Sequence, residues 1–406
     1  MRLSLRALVG SRLLVWSGAL GAIAVFGRNA LEFAGNDPLH ITAPFHASWA
    51  NFMFAPTARW DSVWYLQVAQ HGYFSRASSA FFPLYPLLIS LGAAAVGSEI
   101  VVGTVISLLA MTVALYFLYL LTRSDMSERA ARTTVLLVAF FPTALFLSAV
   151  YTESLFLALC VGSLYAARRD RWAVASLLGG LAAATRVNGV GLLVPLVLMY
   201  LYGPRGARGI GAGTRWWQPR YRLTGSALWL LLVPVGLAAY LGYLWIANGA
   251  PLAPFQVQQQ YWRHELTAPF GEIVTLAVRL PGDVHRLLSG HPWLVAPGDP
   301  LSWNAHDLVD LGFLLFAVGG VVLAWRRAPM PLFVFGLVYL ASVLSDPTTT
   351  EALQGFPRYV LVAFPVFMGW GAWLADRPRA RAATLTASAA LLVVFSGLWG
   401  VWAWIG

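Results

Sequence analysis

Asp61 stands out among the carboxylates by its neighbours. Arg59 and Trp60 precede it, Trp64 and Tyr65 follow it, and the polar, aromatic stretch 57–73 leads on to Phe81, Phe82, Pro83, Leu84, Tyr85 and Pro86. If the stretch is helical, Asp61, Trp64 and Tyr65 project on one face at i, i+3 and i+4. Such a patch has two readings. It is an interfacial aromatic belt carrying an Arg–Asp pair, or it is a sugar site, where a ring face stacks on Trp or Tyr while the carboxylate takes a hydroxyl proton.

Seventeen carboxylates are present, and elimination leaves few candidates. Asp125, Glu128, Asp170 and Asp376 interleave with arginines and read as surface pairs worth little. Glu32, Asp37, Glu99, Glu265, Glu272, Asp283 and Asp299 read as solvated loop residues, and Asp307 and Asp310 as helix N-terminal charges favoured by the macrodipole. Asp61, Glu153, Asp346 and Glu351 remain, and ionisable groups near membrane depth are functional by default.

The elements that must position them are transmembrane helices. Of 406 residues 59% are hydrophobic and 11% charged, and the mean hydropathy is +0.67. Many apolar runs approach the roughly 20 residues needed to cross a bilayer. Expected spans are 12–28, 100–121, 133–150, 154–168, 172–185, 187–202, 225–247, 306–325, 330–345, 357–375 and 383–404. The fold class is an all-α polytopic membrane bundle of roughly 11 spans. Arg2, Arg6 and Arg12 before the run 13–27 read as a retained signal anchor.

All 27 basic residues are arginine, and they set the orientation. With the amino terminus inside and 82–97 lying along the membrane as a juxtamembrane helix, 19 arginines fall inside and 8 outside. If 82–97 crossed, 16 of the 19 would flip outward, so it is read as non-crossing. Pro83 and Pro86 suit the first turn of such a helix. In this orientation the seven histidines fall in or beside the outer loops 28–80 and 248–305. The polar junctions 150–154, 184–189, 256–263 and 347–359 lie on that face too, and the short segments 154–168 and 172–185 are expected to bend or stop short of spanning. The Pro-rich loop 248–305 reads as short helices forming a lid.

The high pI reflects arginine anchors that meet lipid headgroups, so nucleic acid is not an expected partner. The lone Cys160 reads as a small core residue, and neither a Cys/His ligand pattern nor an Asp-x-Asp motif is present, so no obligatory metal or other cofactor is expected. The Gly-rich runs at 179–180 and 318–320 read as close helix contacts.

Several separated motifs together resemble the PIG-V family: Arg59-Trp60-Asp61-Ser62-Val63-Trp64-Tyr65-Leu66, then His71-Gly72-Tyr73, the run 81–88, the run 140–156, Ala183 to Gly189, and Phe356-Pro357-Arg358-Tyr359. The family comprises the second mannosyltransferase of glycosylphosphatidylinositol assembly and its bacterial relatives, within the GT-C membrane glycosyltransferases. The resemblance implies an inverting enzyme that takes mannose from a polyprenyl-phosphate donor and works on the outer face. Its acceptor would be a lipid, glycan or protein. The arginine-rich, lysine-free composition suggests a bacterial member in the plasma membrane.

The resemblance also implies that Asp61 is the catalytic base. Arg186 and Arg358 are the candidates for the donor phosphate; for Arg186 an ion pair to Glu153 is the competing role. Glu153 is a second substrate-binding carboxylate or the partner of an arginine. Tyr85, Tyr151 and Asn188 are candidate hydroxyl binders or structural hydrogen-bonders, Gln256, Gln260 and Trp262 candidate donor cover, and Arg59, Trp60, Trp64 and Tyr65 candidate substrate contacts around the base. The domain reading is one membrane domain over 1–406, with a catalytic first outer loop, 28–98, and an outer lid, 248–305. The rival reading is a transporter or flippase of a lipid-linked sugar, which would string polar groups along the bundle midplane in two related halves. A non-catalytic sugar-binding subunit is the third.

Overall fold

A computed structural model describes residues 1–32, 35–206, 218–293, 302–348 and 352–405. Among them the chain is helical, in the order α1 (Arg2–Phe26), α2 (Ser48–Phe54), α3 (Asp61–His71), α4 (Leu84–Val96), α5 (Glu99–Asp125), α6 (Glu128–Ala139), α7 (Glu153–Arg168), α8 (Trp172–Ala183), α9 (Leu193–Tyr202), α10 (Leu232–Asn248), α11 (Ala253–Trp262), α12 (Gly271–Leu288), α13 (Trp303–Ala324), α14 (Met330–Val343), α15 (Phe356–Val360), α16 (Phe364–Leu374) and α17 (Pro378–Gly400).

Among the described residues five helical segments are long and apolar enough to cross a membrane: α1, α5, 225–248, 305–324 and α17. The other expected spans are shorter or broken helices. At 1.5 Å per residue, the 12 residues of α8 rise only about 18 Å, short of the roughly 30 Å hydrocarbon core. Proline explains several breaks. The run expected to span 133–150 is helical only to Ala139, because Pro142 removes a donor and disfavours helix before it. The run 357–375 divides into α15 and α16, with Pro365 in the first turn of α16. The expected helix at 82–97 is α4, and Pro83 caps it.

The non-helical backbone after α6 is buried and its groups are bonded inside the protein, the condition under which irregular chain is tolerated at membrane depth. Val150 N donates to Thr57 O at 2.6 Å, Ser107 Oγ to Ala149 O at 2.7 Å, and Thr143 Oγ1 to Pro357 O at 2.8 Å. These bonds tie the segment between α6 and α7 to the stretch before Asp61, to α5 and to α15.

Packing pairs α1 with α17, α5 with α6 and α7, α8 with α7 and α10, and α16 with α6 and α13. Glycine makes the tightest of these crossings possible. A Cβ on Gly236 would fall inside the van der Waals shell of Gly180 O, and one on Gly320 would meet Val366 O at 2.6 Å. The glycines at 179–180 and 319–320 thus sit at close helix contacts, where small residues let backbones approach.

One end of the bundle carries arginine–carboxylate pairs: Arg168 with Asp125 at 2.9 Å, Arg132 with Glu128 at 2.6 Å, Arg205 with Asp170 at 3.4 Å and Arg129 with Asp376 at 3.8 Å. Asp125 is less superficial than its sequence context suggests, its side chain being 6% exposed. Arg12 is not a loop anchor either. It lies within α1, buried, and donates to Ser148 Oγ at 2.5 Å.

α12 is amphipathic in an inverted sense. Glu272 and Asp283 are buried, and Arg279 pairs inward with Asp307 at 3.2 Å, while Val274 and Val278 are exposed. Asp37, Glu272 and Asp283, expected on a solvated surface, are therefore interior groups, and Asp307 is an ion-pair partner as well as a residue near a helix start. An apolar outer face of this kind suits contact with lipid.

Candidate active site

α3 begins at Asp61, and its entry is strained. Trp60 has φ 52° and ψ −119°, an arrangement costing about 1–3 kcal/mol that survives only where the surroundings over-determine it. They do so here. Arg59, fully buried, donates through Nη2 to Gly400 O at 2.9 Å and through Nη1 to Ala58 O at 2.8 Å, and its guanidinium lies over the Trp402 ring at 4.7 Å. The Trp60 ring packs on Trp402 and Trp404 at 6.3 and 5.3 Å between centroids. The Asp61 N–H donates to Tyr151 Oη at 3.0 Å.

The carboxylate so placed meets an arginine. Arg358 Nη1 donates to Asp61 Oδ2 at 2.6 Å, and Arg358 Nη2 to Tyr359 Oη at 2.9 Å. Arg358 Nε lies 3.6 Å from Glu153 Oε1, the same oxygen that accepts from Arg186 Nη2. Arg186 Nε donates to Thr152 Oγ1 at 2.6 Å, and Thr152 Oγ1 lies 3.3 Å from Tyr65 Oη. Two carboxylates and two guanidiniums form one chain of contacts. The Glu153 side chain is fully buried, and those of Arg186 and Arg358 are 13% and 10% exposed. A buried charge set of this kind persists only when each member is paired.

This chain borders a cavity of about 530 Å³. Asp61, Tyr65, Arg186, Asn188, Arg358 and Tyr359 line it on the polar side, with Phe81, Phe82, Trp262 and Trp404 supplying aromatic wall. Burial pushes the Tyr65 phenol up to about 12, which leaves it a hydrogen-bond donor.

The other candidates stand behind the wall. Trp64 stacks on Phe74 and Phe81 at 6.0 and 5.5 Å. Tyr85 is fully buried and bonds Gly103 O and Ser107 Oγ at 2.9 and 2.8 Å. Tyr151 supports Asp61 through the backbone bond above, and Arg59 and Trp60 bind the tail after α17. Gln256 accepts from Arg76, while the neighbouring Gln258 lines the cavity; Gln260 is not among the lining residues. Asn188 lines the cavity and donates to Ser342 Oγ at 2.7 Å. Asp346 lines it beside His264, and Glu351 falls outside the described residues.

Sequence reasoning missed the contribution of the tail. Trp404 lines the cavity, with Arg358 5.9 Å from its ring, and Trp399 Nε1 donates to Pro56 O at 2.9 Å. The signal was present as three tryptophans, Trp399, Trp402 and Trp404, at the end of an apolar run, where they read as an interfacial belt. Among the described residues no three His, Cys, Asp or Glu side chains converge as a metal site.

Fold and site together define an integral membrane protein, an all-helical bundle with a carboxylate–arginine site in a cavity at one end. Residues 9–201 match the family model described as mannosyltransferase (PIG-V), so the resemblance read from the ordered motifs is borne out. The chain is 28% identical over 233 residues to GPI mannosyltransferase 2 of Schizosaccharomyces pombe, covering 52% of this chain and 48% of that protein. It is 30% identical over 216 residues to GPI alpha-1,6-mannosyltransferase 2 of Mus musculus, covering 48% and 43%. The chain thus spans about half the length of the curated relatives it matches. Among solved structures, the apo oligosaccharyltransferase of Archaeoglobus fulgidus aligns over 98% of this chain and 56% of its own at 13% identity, with a TM-score of 0.47.

Proposed function

We propose that the chain is an inverting glycosyltransferase of the GT-C type that moves mannose from polyprenyl-phosphate mannose to a lipid, glycan or protein acceptor. It acts as one membrane domain in a bacterial plasma membrane, with 28–98 and 248–305 forming the outer face of the site. The observation that carries the reading is the Asp61–Arg358 pair at 2.6 Å in the cavity wall. A carboxylate that can take a proton stands beside a guanidinium that can take a phosphate.

In the reaction the acceptor O–H gives its proton to Asp61 as its oxygen forms a bond to C1 of the sugar. The C1–O bond to phosphate breaks, and polyprenyl phosphate leaves with the electron pair. Arg186 and Arg358 neutralise that phosphate, so no obligatory metal is invoked. The arriving phosphate competes with Asp61 for Arg358 and so frees the carboxylate for the hydroxyl. Glu153 holds both arginines in place from behind. Tyr65 and Asn188 offer hydrogen bonds to sugar hydroxyls, Trp404 and Trp262 offer ring faces, and Arg59, Trp60, Trp64, Tyr85, Tyr151 and Gln256 set the wall from behind.

The test incubates purified protein with radiolabelled polyprenyl-phosphate mannose and a host lipid extract, for wild type and Asp61→Asn. Transfer by the wild type and its loss in the variant support the reading. Near-normal transfer by Asp61→Asn overturns the assigned base. A chelator that abolishes activity, restored by one divalent ion, overturns metal independence.

A further inference from the structure

The cavity holds a second group of polar side chains that glycosyl transfer at Asp61 leaves unused. His264 and Glu272 reach it from the loop between α10 and α13, and Asp346 from the segment after α14. His264 Nδ1 lies 2.7 Å from Asp346 O and 3.4 Å from Asp346 Oδ2. A backbone strap fixes all three. Glu265 N donates to Pro347 O at 2.9 Å, Thr267 N to Ser345 O at 2.7 Å, and Glu272 N to Leu344 O at 3.0 Å. The Pro-rich loop is therefore pinned at its middle rather than free along its length.

Glu272 gives the group its meaning. It is 3% exposed, it lines the cavity, and its Oε2 has no hydrogen-bond partner. Buried polar atoms are almost always bonded, and an orphan on a residue that lines a cavity marks a place for a ligand atom. The ligand's chemistry follows from the neighbours. Among the described residues no arginine pairs with His264, Glu272 or Asp346, whereas the Asp61 group carries two. An anion is drawn to the arginines, whereas the Asp346 side of the cavity offers it no guanidinium.

We infer that His264, Glu272 and Asp346 form a subsite that hydrogen-bonds the hydroxyl groups of an uncharged glycan, the acceptor. Only the word acceptor rests on the transferase reading; the binding chemistry does not. Burial, with the Asp346 carboxylate beside it, pushes the Glu272 carboxyl up to about 9, so at neutral pH it both donates and accepts. A sugar hydroxyl does the same, which makes the two complementary. Trp262 and Phe255 in the same wall offer apolar faces to a sugar ring.

The test uses the full chain in phospholipid nanodiscs with two probes, methyl α-D-mannopyranoside for the hydroxyl subsite and farnesyl phosphate for the arginines. Wild type binds the mannoside; Glu272→Leu weakens it at least fivefold with farnesyl phosphate unchanged within twofold, and Glu272→Gln, which keeps shape and donors, stays within twofold. No mannoside binding by wild type, or equal binding by wild type and Glu272→Leu, overturns the subsite. If Glu272→Leu loses both probes, His264→Phe decides: a threefold loss of mannoside alone supports the subsite, and no loss overturns it. Mannose transfer is scored separately. A protein that binds the mannoside through Glu272 but transfers nothing keeps the subsite and loses the transferase reading.

Discussion

Arg358 and Asp61 stand 297 positions apart in the chain and 2.6 Å apart in space. The pair joins the entry of α3 to the short helix α15, and each side chain fixes the other at the cavity wall. Removing the carboxylate and removing the guanidinium therefore have different signatures. Asp61→Asn should lower kcat by at least about 10²-fold, as for loss of a general base. Arg358→Gln should raise the KM for polyprenyl-phosphate mannose as well as lower kcat. The double variant should be little worse than the poorer single one, because the two act as a unit. Steady-state transfer with both substrates varied checks this.

Glu153 is expected to matter for folding before it matters for turnover. Its buried carboxylate neutralises Arg186 and lies 3.6 Å from Arg358. Glu153→Gln takes from Arg186 its carboxylate and leaves Arg358 with Asp61, and breaking such a pair costs about 3–5 kcal/mol. Thermal unfolding in detergent should show a large fall in Tm. Glu153→Gln combined with Arg186→Gln should recover part of it, since the uncompensated charge is then gone.

A pair of glycines offers a cleaner test of the packing. Gly236→Ala places a methyl group against Gly180 O at the α8–α10 crossing, whereas the same change at Gly242 meets nothing within 4 Å. Overpacking costs about 1–3 kcal/mol. Tm should fall for Gly236→Ala and hold for Gly242→Ala.

The Glu272 carboxyl predicts a dependence on alkaline pH. Its value rises from the ordinary 4.5 to about 9 on folding, through burial first and Asp346 second. The native state then binds more protons than the unfolded state between those values, so this group's contribution to stability is present below about 4.5 and is lost as pH rises through about 9. Asp346, with His264 paired to it on the strap, is the charged neighbour that acts on it. Mannoside affinity should drop across pH 8–10 in wild type while Tm declines between about pH 4.5 and 9, and Glu272→Gln should flatten both.

Trp404→Ala should weaken substrate binding with less effect on folding. Its ring is cavity wall and packs on Trp60, whose strained backbone introduces Asp61. A loss of about 1–3 kcal/mol, as for a stacked ring, corresponds to a KM rise of about 5–150-fold. Trp404→Phe should restore most of it.

Much of the site was legible in the residues themselves. Asp61, Arg186 and Arg358 were picked out as ionisable groups in aromatic or polar junctions of an apolar chain, and the cavity brings those three together. What escaped was whatever depends on contacts across the whole chain. Arg59 looked like a substrate contact because it adjoins Asp61, yet it binds a carbonyl 341 positions away. Glu272 looked like loop surface because its neighbours are polar and proline-rich, and only the strap to Leu344 turns it inward. Some helix ends were misplaced for a related reason: apolar composition alone does not show where Pro142 or Pro365 breaks a run.

The tail after α17 has a consequence for biosynthesis. Asp61 appears early in the chain, but its arginine and the Trp404 wall are the work of residues beyond 355, and Arg59 finds its carbonyl only at Gly400. A nascent chain halted after α14 would carry Asp61 without its partner and without a closed cavity. The cavity is therefore completed only by the final helices, so an incomplete chain lacks both the Asp61–Arg358 pair and the wall that encloses it.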